Sequence, residues 1–123
     1  MKIWVDDVRP APDGYEWAKS VDEAKEIILE AEDIVDSINH MEATFNHPPD
    51  WSLYKMRANY TIELIDCDHD AGDYAKYGGD YIKLLDWLEA TGRNYPIRIH
   101  SMNVVGRENM RAIIRRNGWK EVM

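Results

Sequence analysis

The chain of 123 residues has almost no cysteine and almost no phenylalanine, one of each. A single cysteine, Cys67, excludes an intramolecular disulfide framework and fits a reducing compartment, so a cytoplasmic setting is expected. The opening MKIWVDDVRP carries no apolar run of the signal-peptide kind. No apolar stretch approaches the about 20 residues of a spanning helix, so no membrane partner is expected. Positive charge is scarce as well, with 15 Lys and Arg against 23 Asp and Glu, a net charge of −8 and a pI near 4.9. That argues against a broad, nonspecific grip on nucleic acid, and no extended nucleic-acid surface is expected. A nucleotide or an RNA end held in a small pocket is compatible with it.

What is present is a length suited to one domain, 1–123, with a core large enough to need no disulfide. Five Trp and seven Tyr suggest a core with polar rims. The chemistry concentrates in Thr61 to Asp73, TIELIDCDHDAGD. Ile62, Leu64 and Ile65 read as a short buried strand. It runs into Asp66, Asp68, His69, Asp70 and Asp73, with Gly72 as a breaker. Burying so many carboxylates without partners is very costly. Two of them about 4 Å apart repel by roughly 4 kcal/mol at an effective dielectric of about 20. Such a cluster belongs at the mouth of a sheet and reads as a site.

Two other strands end in the same way. KIWV, Lys2 to Val5, stops at Asp6 and Asp7, and Arg9 to Gly14 is a loop set by two prolines and a glycine. Tyr95-Pro96 starts Ile97-Arg98-Ile99, which stops at His100-Ser101-Met102-Asn103. Between these lie helical patterns. Ser20 to Asp33 begins with a capping box and repeats apolar residues at helical spacing. Asp80 caps a second helix that Gly92 ends, and Arg107 to Asn117 forms the last, closed by Gly118. Ile34 to His40 is expected as a strand. The segment 41–59 breaks the pattern and is read as an insertion with a helical turn near Trp51 to Met56. His40 and His47, beside it, are read as solvated. Trp4, Trp17, Trp87 and Trp119 are expected against the sheet, and Trp51 and Tyr54 over the pocket or a base. Alternating strands and helices imply an α/β sandwich with a mostly parallel sheet. Ligands of such sheets bind beyond the carboxyl ends of the strands, where DD, DCDHD and HSMN all fall.

The chain resembles the cyclic-phosphate-processing receiver-like family, a relative of response-regulator receivers. The resemblance rests on DDVRPAP at Asp6 to Pro12, DHD at Asp68 to Asp70 and HSMNVVGRENM at His100 to Met110. Cys67 stands where the family usually has leucine. The resemblance implies a receiver-like (flavodoxin-like) three-layer sandwich of four to five strands, in the order 2-1-3-4 with a short fifth. It implies action on a cyclic phosphate of a nucleotide or RNA end. Asp6, Asp7, Asp68, His69, Asp70 and His100 carry over as its acidic and histidine positions, and Ser101 and Asn103 as polar pocket residues. An ordinary receiver also needs a lysine after strand five, whereas Lys120 sits at the start of a terminal stub.

Several chemistries suit these residues. His69 and His100 can form an acid–base pair on a phosphodiester, with Asp68 and Asp70 orienting the rings. Asp6, Asp7, Asp68 and Asp70 can instead hold a hard cation, Mg²⁺ or Mn²⁺, that polarises phosphate. The plainest alternative is that the histidines satisfy buried carboxylates. Ser101, Asn103 and Gly106 precede a helix start suited to phosphate, with Asn103 alternatively a simple cap. Arg107 and Arg9 are further phosphate candidates, and Arg111 and Arg115 complete a basic helix face with Arg107. Flanking negative charge argues against Cys67 as a thiolate nucleophile. The expected function is that of a phosphoesterase or recognition domain for cyclic phosphate. The rivals are a noncatalytic signalling module that binds a divalent cation and accepts phosphate on Asp68, and an interaction protein using the insertion.

Overall fold

The computed structural model describes residues 1–45 and 51–123. Four short strands, β1 (Lys2–Val5), β2 (Tyr15–Ala18), β3 (Leu64–Cys67) and β4 (Ile97–Ile99), form one all-parallel sheet in the order β2-β1-β3-β4. The helices are α1 (Val21–Phe45), α2 (Trp51–Tyr60), α3 (Ile82–Ala90) and α4 (Val104–Asn117), with a 3₁₀ turn over Gly72–Lys76. A lone parallel bridge between Ile97 and Glu121 stands where a fifth strand would be. The α/β fold and strand order are those of a receiver-like domain.

The second strand is not the expected one. Ile34 to His40 lies inside α1, which runs unbroken from Val21 to Phe45. Ile34 and Ile38 extend the spacing of Ile27, Ile28 and Ala31, no Gly or Pro intervenes, and Ile38 is buried. Helical continuity therefore outweighs the β-branched composition. The true β2 is a four-residue strand, YEWA, hidden between Gly14 and Ser20. In the segment 41–59, α1 ends and α2 begins. His47 and the side chain of Trp51 lie outside the described residues. Tyr54 is on α2, which returns along the last turns of α1. Tyr60, at its end, meets Thr61 and Ile62 ahead of β3, at the amino edge of the sheet. The described residues of the segment, Tyr54 among them, are thus remote from the carboxyl edge.

Register fixes the two faces. Ile3 pairs with Glu16 and Ile65, and Ile65 with Ile97; Val5 pairs with Ala18 and Cys67. Ile3, Val5, Ala18, Ile65, Cys67 and Ile97 pack with α1, α3 and α4 in one core. The alternate row, Trp17, Trp4, Asp66 and Arg98, lies on the other face. The helix contacts run α1 to α3 to α4, so these three helices form one layer. Handedness accounts for this. β2→β3 and β3→β4 step the same way across the sheet, and right-handed crossovers put both connections on one face. The β1→β2 step runs the other way, but it is the loop 6–14, in which Pro10, Pro12 and Gly14 preclude a helix. Among the described residues, no helix covers the face of Trp4 and Trp17.

Candidate active edge at the carboxyl ends of the strands

The sheet delivers Asp6 after β1, Asp68 after β3 and His100 after β4 to one edge. Asp6 is fully buried. Its Oδ1 accepts the backbone N–H groups of Val8 (3.0 Å) and Arg9 (2.9 Å), which shapes the proline-rich loop. Its Oδ2 lies 2.9 Å from His100 Nε2. The other ring nitrogen, Nδ1, is 2.6 Å from Asp66 Oδ1. The backbone N–H of His100 donates to Cys67 O at 2.9 Å. The ring stacks on Trp4, with centroids 3.8 Å apart and planes 5° from parallel.

His100 is thus clamped between two buried carboxylates. Burial opposes its charge, but its hydrogen bonds to Asp66 and Asp6, and their charges, outweigh it and raise its pKa above the ordinary histidine value. Asp6 shows the complement. Burial would raise its pKa, yet the two backbone donors and His100 hold it below the usual carboxylate value. The geometry describes an imidazolium whose two N–H bonds are both committed. Asp66 Oδ2 is left without a hydrogen-bond partner, with Arg98 Nη1 at 3.7 Å. Asp66 was not singled out in the sequence as a partner of His100. The available signal was a lone carboxylate inside the apolar strand LIDC, which needs a partner wherever it is buried.

His69 is placed differently. Its backbone N–H donates to Asp68 Oδ1 at 2.7 Å. Its Nδ1 lies 2.9 Å from Asp70 Oδ1 and 3.4 Å from Asn103 Nδ2. That bond, ahead of the opposing effect of burial, holds Asp70 below the ordinary carboxylate value, with Asn103 adding to it. Among the described residues Nε2 has no hydrogen-bond partner. The ring lies against the first turn of α4. A Cβ on Gly106 would come within 2.5 Å of His69 Cγ and Cδ2, so glycine is required there for close approach. Asp68 shares the edge with Asp6 and His100, so of Asp68 and Asp70 it is Asp68 that joins that group.

The expected phosphate residues are largely occupied by one another. Asn103 is the N-cap of α4: its Oδ1 accepts from Gly106 N at 2.9 Å, and Nδ2 lies 3.3 Å from Asp70 Oδ2. Ser101 is buried and its Oγ accepts from Asn103 N at 3.1 Å. Arg107 Nη1 reaches Ser101 O and Arg9 Nη1 reaches His100 O, both at 3.4 Å. Arg111 is taken by Glu121 and Glu108, so the helix face Arg107-Arg111-Arg115 is not a free basic strip. Lys120 offers its carbonyl to Ile97 N, which places it at the amino edge, opposite the aspartates. Asp80 does not cap α3. Tyr81 holds that position, and Asp80 Oδ1 accepts from Ala71 N at 3.0 Å. Cys67 is buried, and burial with the charges of Asp66 and Asp68 drives its thiol pKa far up.

Among the described residues two groups could hold a metal ion, each with ligand atoms within 4.8 Å of one another: Asp6, Asp68 and His100, and His69, Asp70 and Asp80. In the first, the Asp6 oxygens and His100 nitrogens are already bonded. Asp7 sits beside them, against Gly72, whose Cβ position lies 2.4 Å from Asp7 Oδ2. Burial first, then the charges of Asp6 and Asp68, raise its pKa, against the effect of a backbone bond. Asp7 belongs to neither of the two groups, and the charges of Asp6 and Asp68 bear on it.

A family model for the cyclic-phosphate processing receiver domain matches residues 1–116. No curated protein and no solved structure matches the chain. The match spans every strand, α1 to α3 and all but the last residue of α4, together with His69, His100 and the whole acidic edge. The chain belongs to the cyclic-phosphate processing receiver domain family.

Proposed function

We propose that the carboxyl edge binds the cyclic phosphate of a nucleotide or RNA end and hydrolyses it, with unequal work for the two histidines. The observation that carries this reading is the contrast between them. His100 has both nitrogens committed to buried carboxylates, whereas His69 has Nδ1 held by Asp70 and Nε2 open. A carboxylate on one imidazole nitrogen fixes the tautomer and makes the other nitrogen a better base. His69 Nε2 takes a proton from water as the water oxygen bonds to phosphorus. It returns that proton to the ribose oxygen as the P–O bond of the ring breaks. Water supplies both the new oxygen and the proton, so the reaction balances without another reactant. His100 stays charged and holds Asp6 and Asp66 in place at the edge.

A Mg²⁺ or Mn²⁺ ion held by Asp7 and Asp68 would supply further positive charge to a phosphoryl oxygen. Asp6 and His100 would join such a set only by giving up their mutual bond. Phosphate transfer to Asp68 is the second reading. Asp68 and Ser101 occupy receiver-like places, but Lys120 lies at the opposite edge.

³¹P NMR of 2′,3′-cyclic AMP tests the proposal. The cyclic-phosphate resonance is expected to give way to a monoester resonance with the wild type. His69→Ala should slow this by about 100-fold or more while the protein stays folded. A folded wild type that leaves the resonance unchanged sinks the hydrolytic reading. A phosphoryl adduct after acetyl phosphate and Mg²⁺ would favour the second.

A further inference from the structure

We propose that the face of the sheet that no helix covers among the described residues binds a short single strand of nucleic acid by stacking its bases. All-parallel sheets are ordinarily covered on both faces. Here one face carries α1, α3 and α4, and the other presents Trp4, Tyr15 and Trp17 with Lys2 and Arg98. None of the three aromatics packs into the core, and each is partly exposed. Lysine ammoniums lie over two of the rings. Lys19 Nζ is 4.6 Å from the Trp17 centroid, and Lys2 Nζ is 5.6 Å from that of Tyr15.

The face leads straight to the active edge. Trp4 is beside Trp17 in register and stacks on His100. Its charge also differs from that of the chain. Lys2 and Arg98 are exposed and Lys19 half-exposed, while Asp66, in the row of Trp4 and Arg98, is buried and committed to His100. The net charge of −8 is that of the whole chain, these cations included. Flat aromatics interleaved with cations are what a single strand needs: ring faces for bases and ammoniums for phosphates. A second copy of the chain suits the face less well, since a twofold pairing would set these cations against themselves. Which end of the strand lies at the site rests on the function proposed above; binding of the strand does not.

Fluorescence anisotropy with a labelled oligouridylate of about eight nucleotides, ending in an ordinary 3′-hydroxyl, tests the inference. The wild type is expected to bind at low salt, with tryptophan quenching and an affinity that falls as salt rises. Lys2→Glu combined with Lys19→Glu should weaken binding by about ten-fold or more and leave turnover of 2′,3′-cyclic AMP unchanged. Absence of binding by the folded wild type, or equal binding by the double variant, overturns the proposal. So does a dimer, seen by sedimentation, that the double variant dissolves. Strand binding without turnover keeps this inference and removes the proposed reaction; turnover without strand binding does the reverse.

Discussion

Both ring nitrogens of His100 are bonded to buried carboxylates, Asp66 and Asp6. Replacing Asp66 by Ala leaves a buried charge with one partner fewer, and a loss of about 3–5 kcal/mol is expected in urea unfolding. The same clamp gives stability a pH signature. The folded-state pKa of His100 is raised above the ordinary 6.5. Its contribution is therefore full below that value and declines as pH rises through the folded-state pKa. Asp6, whose pKa is lowered, acts at the other end, and its contribution is lost as pH falls through its folded-state value. Melting temperatures across pH should show both slopes, and Asp66→Asn should flatten the alkaline one. An alkaline limb unchanged in that variant contradicts the clamp. Gly106→Ala tests His69 in the same spirit. The added methyl meets the ring at 2.5 Å, so a cost of about 1–3 kcal/mol is expected, with slower turnover as the ring is displaced.

Each strand is only three or four residues long, and their brevity decided what could be read from the sequence. β1, β3 and β4 were legible because each ends in ionisable residues, and that chemistry marks where a strand stops. β2 has no such ending. YEWA is too short for alternation to stand out, and α1 borrowed its place in the expected order. The strand expected over Ile34 to His40 rests on the β-branched residues a strand favours; the helical spacing of Ile34 and Ile38 and the lack of a breaker argue otherwise. The start of α1 was legible to the residue. Ser20 Oγ accepts from Glu23 N at 3.0 Å, so Ser20→Ala should cost about 1 kcal/mol in thermal unfolding. No change in that variant would mean the cap is idle.

At the scale of the whole molecule, the loop 6–14 does two things at once. It withholds a helix from one face of the sheet, and its backbone donors hold Asp6 against His100. The convergence of Asp6, Asp68 and His100 followed from strand order, since parallel neighbours share an edge. Their division of labour did not, because nothing in DHD or HSMN tells which imidazole meets two carboxylates. That depended on Asp66 pointing to the uncovered face in line with Trp4 and Arg98, a matter of register. Imidazole nitrogen shifts, followed by ¹⁵N NMR during addition of 2′,3′-cyclic AMP, read that division directly. The account predicts that the His69 nitrogens respond to ligand while His100 stays an imidazolium throughout. A His100 that is neutral near pH 7, or a ligand that moves its signals and leaves those of His69 in place, would contradict it.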